Sequence, residues 1–149
     1  MTNRIGAWAA ALAFTLACST AAAADLVIEV KGVASDKGNI VVALYDADGW
    51  AKTTFRNADD IATMQFRGAT APAVKGVVSL TMKNVPPGDY AVNLYHDENA
   101  NGKIDTVLGI ASEPYAFSND ARGFLGPPTF GQAKFNVSGE KTAIVINLN

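Results

Sequence analysis

Large apolar residues recur with a period of two along most of this chain. Leu26, Ile28 and Val30 alternate with Val27, Glu29 and Lys31, and Ile40, Val42 and Leu44 with Val41, Ala43 and Tyr45. The period returns at Val78-x-Leu80-x-Met82, Tyr90-x-Val92-x-Leu94, Phe135-x-Val137 and Ile144-x-Ile146-x-Leu148. A period of two sends successive side chains to opposite faces, so each run predicts a β-strand with one buried face. Turn-forming clusters separate the runs: Asp36-Lys37-Gly38-Asn39, Asp48-Gly49, Pro86-Pro87-Gly88-Asp89 and Ser138-Gly139-Glu140. No long helical stripe competes. The pattern predicts an all-β chain folded as a single antiparallel β-sandwich of about seven strands.

Two segments break the alternation. Between Trp50 and Ala71 the period is lost, and Phe55, Ile61, Met64 and Phe66 predict a short helical turn or an irregular cover over a sheet end. From Thr106 to Gly131 runs a long loop rich in Gly, Pro, Ser and Asn, a length that in compact domains is often functional. Its aromatics Tyr115, Phe117, Phe124 and Phe130 are expected to pin the loop to the sandwich, with a binding groove as the alternative.

Candidate chemistry gathers just before that loop. Asp97, Asn99 and Asn101 recur at every second position, Gly102 follows and Asp105 closes the series. These are positions 1, 3, 5, 6 and 9 of the Asp-x-[Asp/Asn]-x-[Asp/Asn]-Gly loop that wraps oxygen ligands around calcium. Lys103 stands at position 7, where such loops use a backbone carbonyl, and Ile104 at position 8 is an apolar anchor. Position 12 is Leu108 and not the bidentate Glu of an EF-hand. The candidate ligands for Ca2+ are thus Asp97, Asn99, Asn101, Lys103 and Asp105, with a further ligand expected from Glu113 or from Asp46 and Asp48. With two charged ligands the affinity should be weak, on the order of 10⁻⁴ to 10⁻³ M. The plain alternative is an Asx-turn that binds nothing.

His96 is the only histidine and continues the core-facing series Tyr90, Val92, Leu94. It is read as a structural hydrogen-bonding residue, since no second histidine completes a zinc set. The competing reading is a hydrolase-like enzyme using His96 with nearby carboxylates, but neighbours along a strand point to opposite faces. No nucleophile elbow or phosphate loop is present, and Ser112 and Ser118 lie in a loop without a histidine beside them.

Length and charge narrow the class. The chain's 149 residues suit one domain. A basic start at Met1 to Arg4, an apolar run from Ile5 to Ala17 and small residues through Ala24 predict a secretory signal peptide over residues 1–24. The run is shorter than the roughly 20 apolar residues of a membrane span. The domain is therefore expected over 25–149, periplasmic or secreted. Cys18, the single cysteine, falls in the leader; lipid anchoring there is the alternative, against which Thr15 stands where a lipobox has Leu. No disulfide is open to the remainder. Its 11 basic and 14 acidic side chains give a formal charge of −3 without a basic cluster, which argues against nucleic acid and leaves a protein or glycan partner.

Two resemblances follow from these motifs. Val85-Pro86-Pro87-Gly88-Asp89-Tyr90 resembles the turn of transthyretin-like, or carboxypeptidase-regulatory-like, sandwich domains. His96-Asp97-Glu98-Asn99-x-Asn101-Gly102-Lys103-x-Asp105, followed by Ser118-Asn119 and Gly126-Pro127-Pro128-x-Phe130-x-x-Ala133-x-Phe135, resembles the bacterial exported family filed as domain of unknown function 2141. That resemblance runs from about Leu26 to Leu148 and implies a small exported β-sandwich with no assigned activity. The chain departs from the family pattern at Ala111, Pro114 and Ala116.

Overall fold

A computed structural model describes residues 22–53, 65–108 and 110–148. Most of the expected leader, together with Phe55, Ile61 and Met64, lies outside the described residues. In chain order the elements are Ala24–Val33 (β1), Asn39–Tyr45 (β2), Ala47–Lys52 (α1), Arg67–Pro72 (β3), Gly76–Val85 (β4) and Gly88–Asp97 (β5). Thr106–Val107 (β6), Ile110–Ala111 (β7), Tyr115–Phe117 (β8), a 3₁₀ turn at Ser118–Asp120, Phe130–Ala133 (α2), Phe135–Val137 (β9) and Lys141–Asn147 (β10) follow.

The strands form two main sheets. One has the order β10-β1-β4; the other has β3-β2-β5-β8, with β9 pairing the start of β5. Their facing side chains share a single core, in which Leu26, Ile28, Val30, Ile40, Val42, Leu44, Val92, Leu94 and Ile146 are all fully buried. Burying each such side chain is worth about 1.5–3 kcal/mol, so the alternation seen in the sequence supplies the main stabilisation. All-β architecture is thus as the sequence predicts.

β5 departs from a one-faced strand. Its outward residues Ala91, Asn93 and Tyr95 are buried too. A second apolar cluster covers them, built from Ala43, Tyr45, Trp50, Ala91, Phe117 and Ala133. Trp50 stands edge-on to Tyr45 and Phe117 at 5.7 Å, and its indole nitrogen donates to the Pro128 carbonyl at 3.2 Å. Phe117 and Phe130 therefore do pin the long loop to the outer face, whereas Phe124 is 95% exposed and Tyr115 half-exposed.

Three further features differ from the alternation reading. Arg67–Pro72 is a strand, pairing β2, although its inward residues are only Ala69 and Ala71. The long loop holds β8, which pairs β5 with Tyr115 opposite Tyr95. The first and last strands, β1 and β10, run parallel, with Asp25 opposite Lys141 and Lys31 opposite Asn147. Every other strand pair among the described residues is antiparallel.

Candidate functional site

The acidic loop begins where β5 ends. Asn39 of β2 faces Asp97 in the ladder, and the β1–β2 turn closes over this end of the sheet. Ser35 donates to Glu98 at 2.9 Å, and Asp36 accepts from the Lys75 amide at 2.5 Å. Asp97 is 1% exposed; one carboxylate oxygen accepts the Asn101 amide at 3.0 Å and the other the Gly102 amide at 2.7 Å. A carboxylate that satisfies two backbone amides winds the chain into a tight loop, and Gly102 at φ 75° supplies the left-handed turn this needs.

Asn99 and Asn101 converge on Asp105. Their side-chain amides donate to the two Asp105 oxygens at 2.6 and 3.0 Å, while their carbonyl oxygens accept the Asn101 and Lys103 amides. Of the predicted loop residues, Asn99 and Asn101 gather on Asp105, Asp97 is bound to the loop backbone, and Lys103 lies on the exposed rim.

The sequence left two sources open for a further carboxylate. Pairing of β8 with β5 puts Tyr115 opposite Tyr95, and continuing that register by two residues carries Glu113 opposite Asp97. Glu113 is 8% exposed, and its two oxygens accept the amides of Glu98 at 3.0 Å and Asp105 at 2.9 Å. It thereby clamps the loop at positions 2 and 9. Asp46, by contrast, follows Tyr45, six strand residues from Asn39, which at about 3.3 Å per residue is about 20 Å away. There it caps α1 by accepting the Gly49 amide at 2.8 Å.

Tyr95 reports on the same cluster. Burial, reinforced by the negative charges of Asp97 and Glu113, pushes its phenol up to about 12, and its hydroxyl donates to the Gly102 carbonyl at 3.2 Å. Among the described residues no three His, Cys, Asp or Glu side chains are grouped so that they could hold a metal between them. Any cation here must take part of its shell from the amide oxygens of Asn99 and Asn101 and from backbone carbonyls.

His96 is fully buried, and its Nε2 lies 2.7 Å from the Lys37 carbonyl. Since a carbonyl only accepts, that nitrogen carries the proton and donates. Ser118 is equally committed: it accepts from the Val92 amide at 2.8 Å and donates to the Ala133 carbonyl at 2.6 Å. Neither side chain is presented to solvent.

Fold and site together define a small all-β domain with an Asp/Asn loop clamped at one end of its larger sheet. Residues 28–145 match the family described as "Uncharacterized protein conserved in bacteria (DUF2141)", and the chain belongs to it. No curated protein and no solved structure matches the chain. No helix among the described residues is long and apolar enough to cross a membrane.

Proposed function

We propose that this protein is an exported, non-catalytic β-sandwich that acts as a binding or structural module of the periplasm or the cell exterior, with a loop that takes up calcium weakly. The observation that supports the reading is the return of Glu113 to the Asp97–Asp105 loop. Glu113 adds a carboxylate at the edge of a loop whose position 12 offers only Leu108, although Asp97, Asp105 and Glu113 do not converge on one point. Each oxygen of Glu113 and Asp97 holds one backbone amide and keeps a second lone pair for an ion.

Loading has a cost. The amide groups of Asn99 and Asn101 donate to Asp105, so each must turn about its last side-chain bond to present its oxygen instead. That rearrangement and the small number of charges keep the affinity in the range of roughly 10⁻⁴ to 10⁻³ M. Calcium would stiffen the start of the long loop, and the surface so ordered would face a protein or glycan partner. His96, buried and bonded to the chain, serves the fold in this reading and not a reaction.

Thermal melting in chelator and in millimolar calcium tests the proposal. At calcium about ten times Kd, binding to the folded state adds about 1.4 kcal/mol. For a domain of this size the melting temperature should rise by a few degrees. Magnesium should do less, because it demands strict octahedral geometry and sheds water reluctantly. Identical melting with calcium and with chelator would reduce the loop to a turn. Export is tested separately by mass spectrometry of the native protein, which should find an N-terminus near Ala24 or Asp25.

A further inference from the structure

Beyond the acidic loop, the segment from β8 to Gly126 borders a groove of about 280 Å³. Tyr115, Asp120, Arg122 and Asn147 line it together with Gly123 and Gly126. Its size falls just below the ~300–1,000 Å³ usual for small-molecule sites.

The walls are firmly built. Asn119 and Asp120 both hold left-handed backbone, at φ 60° and 49°. Residues other than glycine persist there only where surrounding bonds over-determine them, often at binding sites. Here the Asn119 amide group donates to the carbonyls of Gln132 and Lys134 at 3.2 and 2.9 Å. Asp120 accepts the backbone amide of Asn147 at 2.8 Å and its side-chain amide at 2.5 Å. On the opposite rim a β-carbon on Gly123 would lie 2.2 Å from the Gly126 carbonyl oxygen, so that turn closes only with glycine.

The chemistry of the lining selects a class of ligand. Tyr115 offers a half-exposed ring standing edge-on to Phe117 at 6.0 Å. Arg122 forms no ion pair with any described residue, although Asp120 lines the same groove. A free anion would be drawn to Arg122 but repelled by Asp120, and a cation the reverse. A neutral ligand with one apolar face and hydroxyls that both donate and accept fits all three groups. Asp120 keeps spare lone pairs for such hydroxyls, and the five guanidinium N–H groups of Arg122 form a rigid donor fork.

We propose that this groove binds a neutral saccharide unit, with a pyranose face laid on Tyr115 and its hydroxyls shared between Asp120 and Arg122. The proposal goes beyond the calcium reading and stands without it.

The test is a titration of the full ¹⁵N-labelled chain with maltose, cellobiose and N,N′-diacetylchitobiose, with sodium acetate as a charged control. At least one disaccharide should shift the amide signals of Tyr115, Arg122 and Gly123 saturably. Tyr115→Ala and Arg122→Gln should each weaken that binding at least tenfold while leaving the effect of calcium on melting unchanged. Should Tyr115→Ala fail to fold, Arg122→Gln alone decides, because Arg122 is exposed and bears no structural bond among the described residues. The proposal is overturned if no disaccharide moves these signals, if acetate moves them equally, or if Arg122→Gln leaves the affinity intact.

Discussion

A β-carbon on Gly38 would sit 1.8 Å from the carbonyl oxygen of Asp97. The β1–β2 turn thus lies directly on the end of the strand that begins the acidic loop. Gly38 also holds φ 66°, a left-handed value that favours glycine. Gly38→Ala should therefore lower stability by about 2–4 kcal/mol, through backbone displacement as well as conformational strain. Gly102→Ala is the control, for Gly102 has φ 75° but nothing within 4 Å of the added carbon. It should cost about 1 kcal/mol, the conformational part alone. Denaturant unfolding of both variants checks the difference.

Asp97 and Asp105 are predicted to behave differently on substitution. Asp97→Ala leaves the Gly102 amide without its acceptor and the Asn101 amide with only the Asn99 side-chain oxygen, so the protein should lose about 1–3 kcal/mol even in chelator. Asp105 is half-buried, and its carboxylate oxygens are bonded only to side-chain amides. Asp105→Asn should melt within a few degrees of wild type in chelator yet lose most of the rise given by calcium. If Asp105→Asn retains the full rise, the ion sits elsewhere.

Alkaline pH should unfold the domain through its buried tyrosines. Burial pushes the phenols of Tyr45 and Tyr95 up, Tyr95 to about 12. A raised value in the folded state means that the fold favours the protonated form. The resulting stability is complete below about pH 10, where an unfolded tyrosine titrates, and is lost as pH rises from 10 towards 12. Melting temperature should fall across that window, and by less in Tyr45→Phe. A flat profile between pH 9 and 12 would contradict the assignment.

Ser118 ties three elements together and should be intolerant of truncation. Ser118→Ala strands the Val92 amide in β5 and the Ala133 carbonyl at the end of α2, both in buried surroundings. Each loss is worth about 1–3 kcal/mol. The variant should unfold about 2–4 kcal/mol earlier and expose Trp50, which packs on Phe117 beside it. Tryptophan fluorescence in denaturant follows both effects at once.

The sequence showed those parts of the molecule that the side-chain period encodes. β1, β2, β4, β5, β9 and β10 carry large apolar residues at every second position on their inward face, so their period is strong even where, as in β2 and β5, the outward face is covered too. β3 was illegible because Ala69 and Ala71 give the pattern no amplitude; its partner β2 makes it a strand. β8 spans three residues, too few for any period. Its pairing, however, carries Glu113 onto the acidic loop, where it holds the Glu98 and Asp105 amides, a contact set by register and not by spacing. The Asp/Asn series itself was legible because its oxygens and its glycine follow one local rule. The groove beside Tyr115 was not, since Asn147 reaches it from the far end of the chain.

The parallel pairing of β1 with β10 bears on when this protein can fold. β1 is the middle strand of its sheet, and one of its two neighbours is β10, the last strand among the described residues. Until Lys141 to Asn147 have emerged from the ribosome, half of the hydrogen-bonding edge of β1 has no mate, and Ile146 is missing from the core. Joining strands so far apart in sequence closes the largest loop in the chain before any contact repays the lost entropy, which makes for slow folding. Folding during synthesis is correspondingly discouraged. The topology delays the native state until β10 has been made, which suits a protein proposed to cross a membrane before it folds.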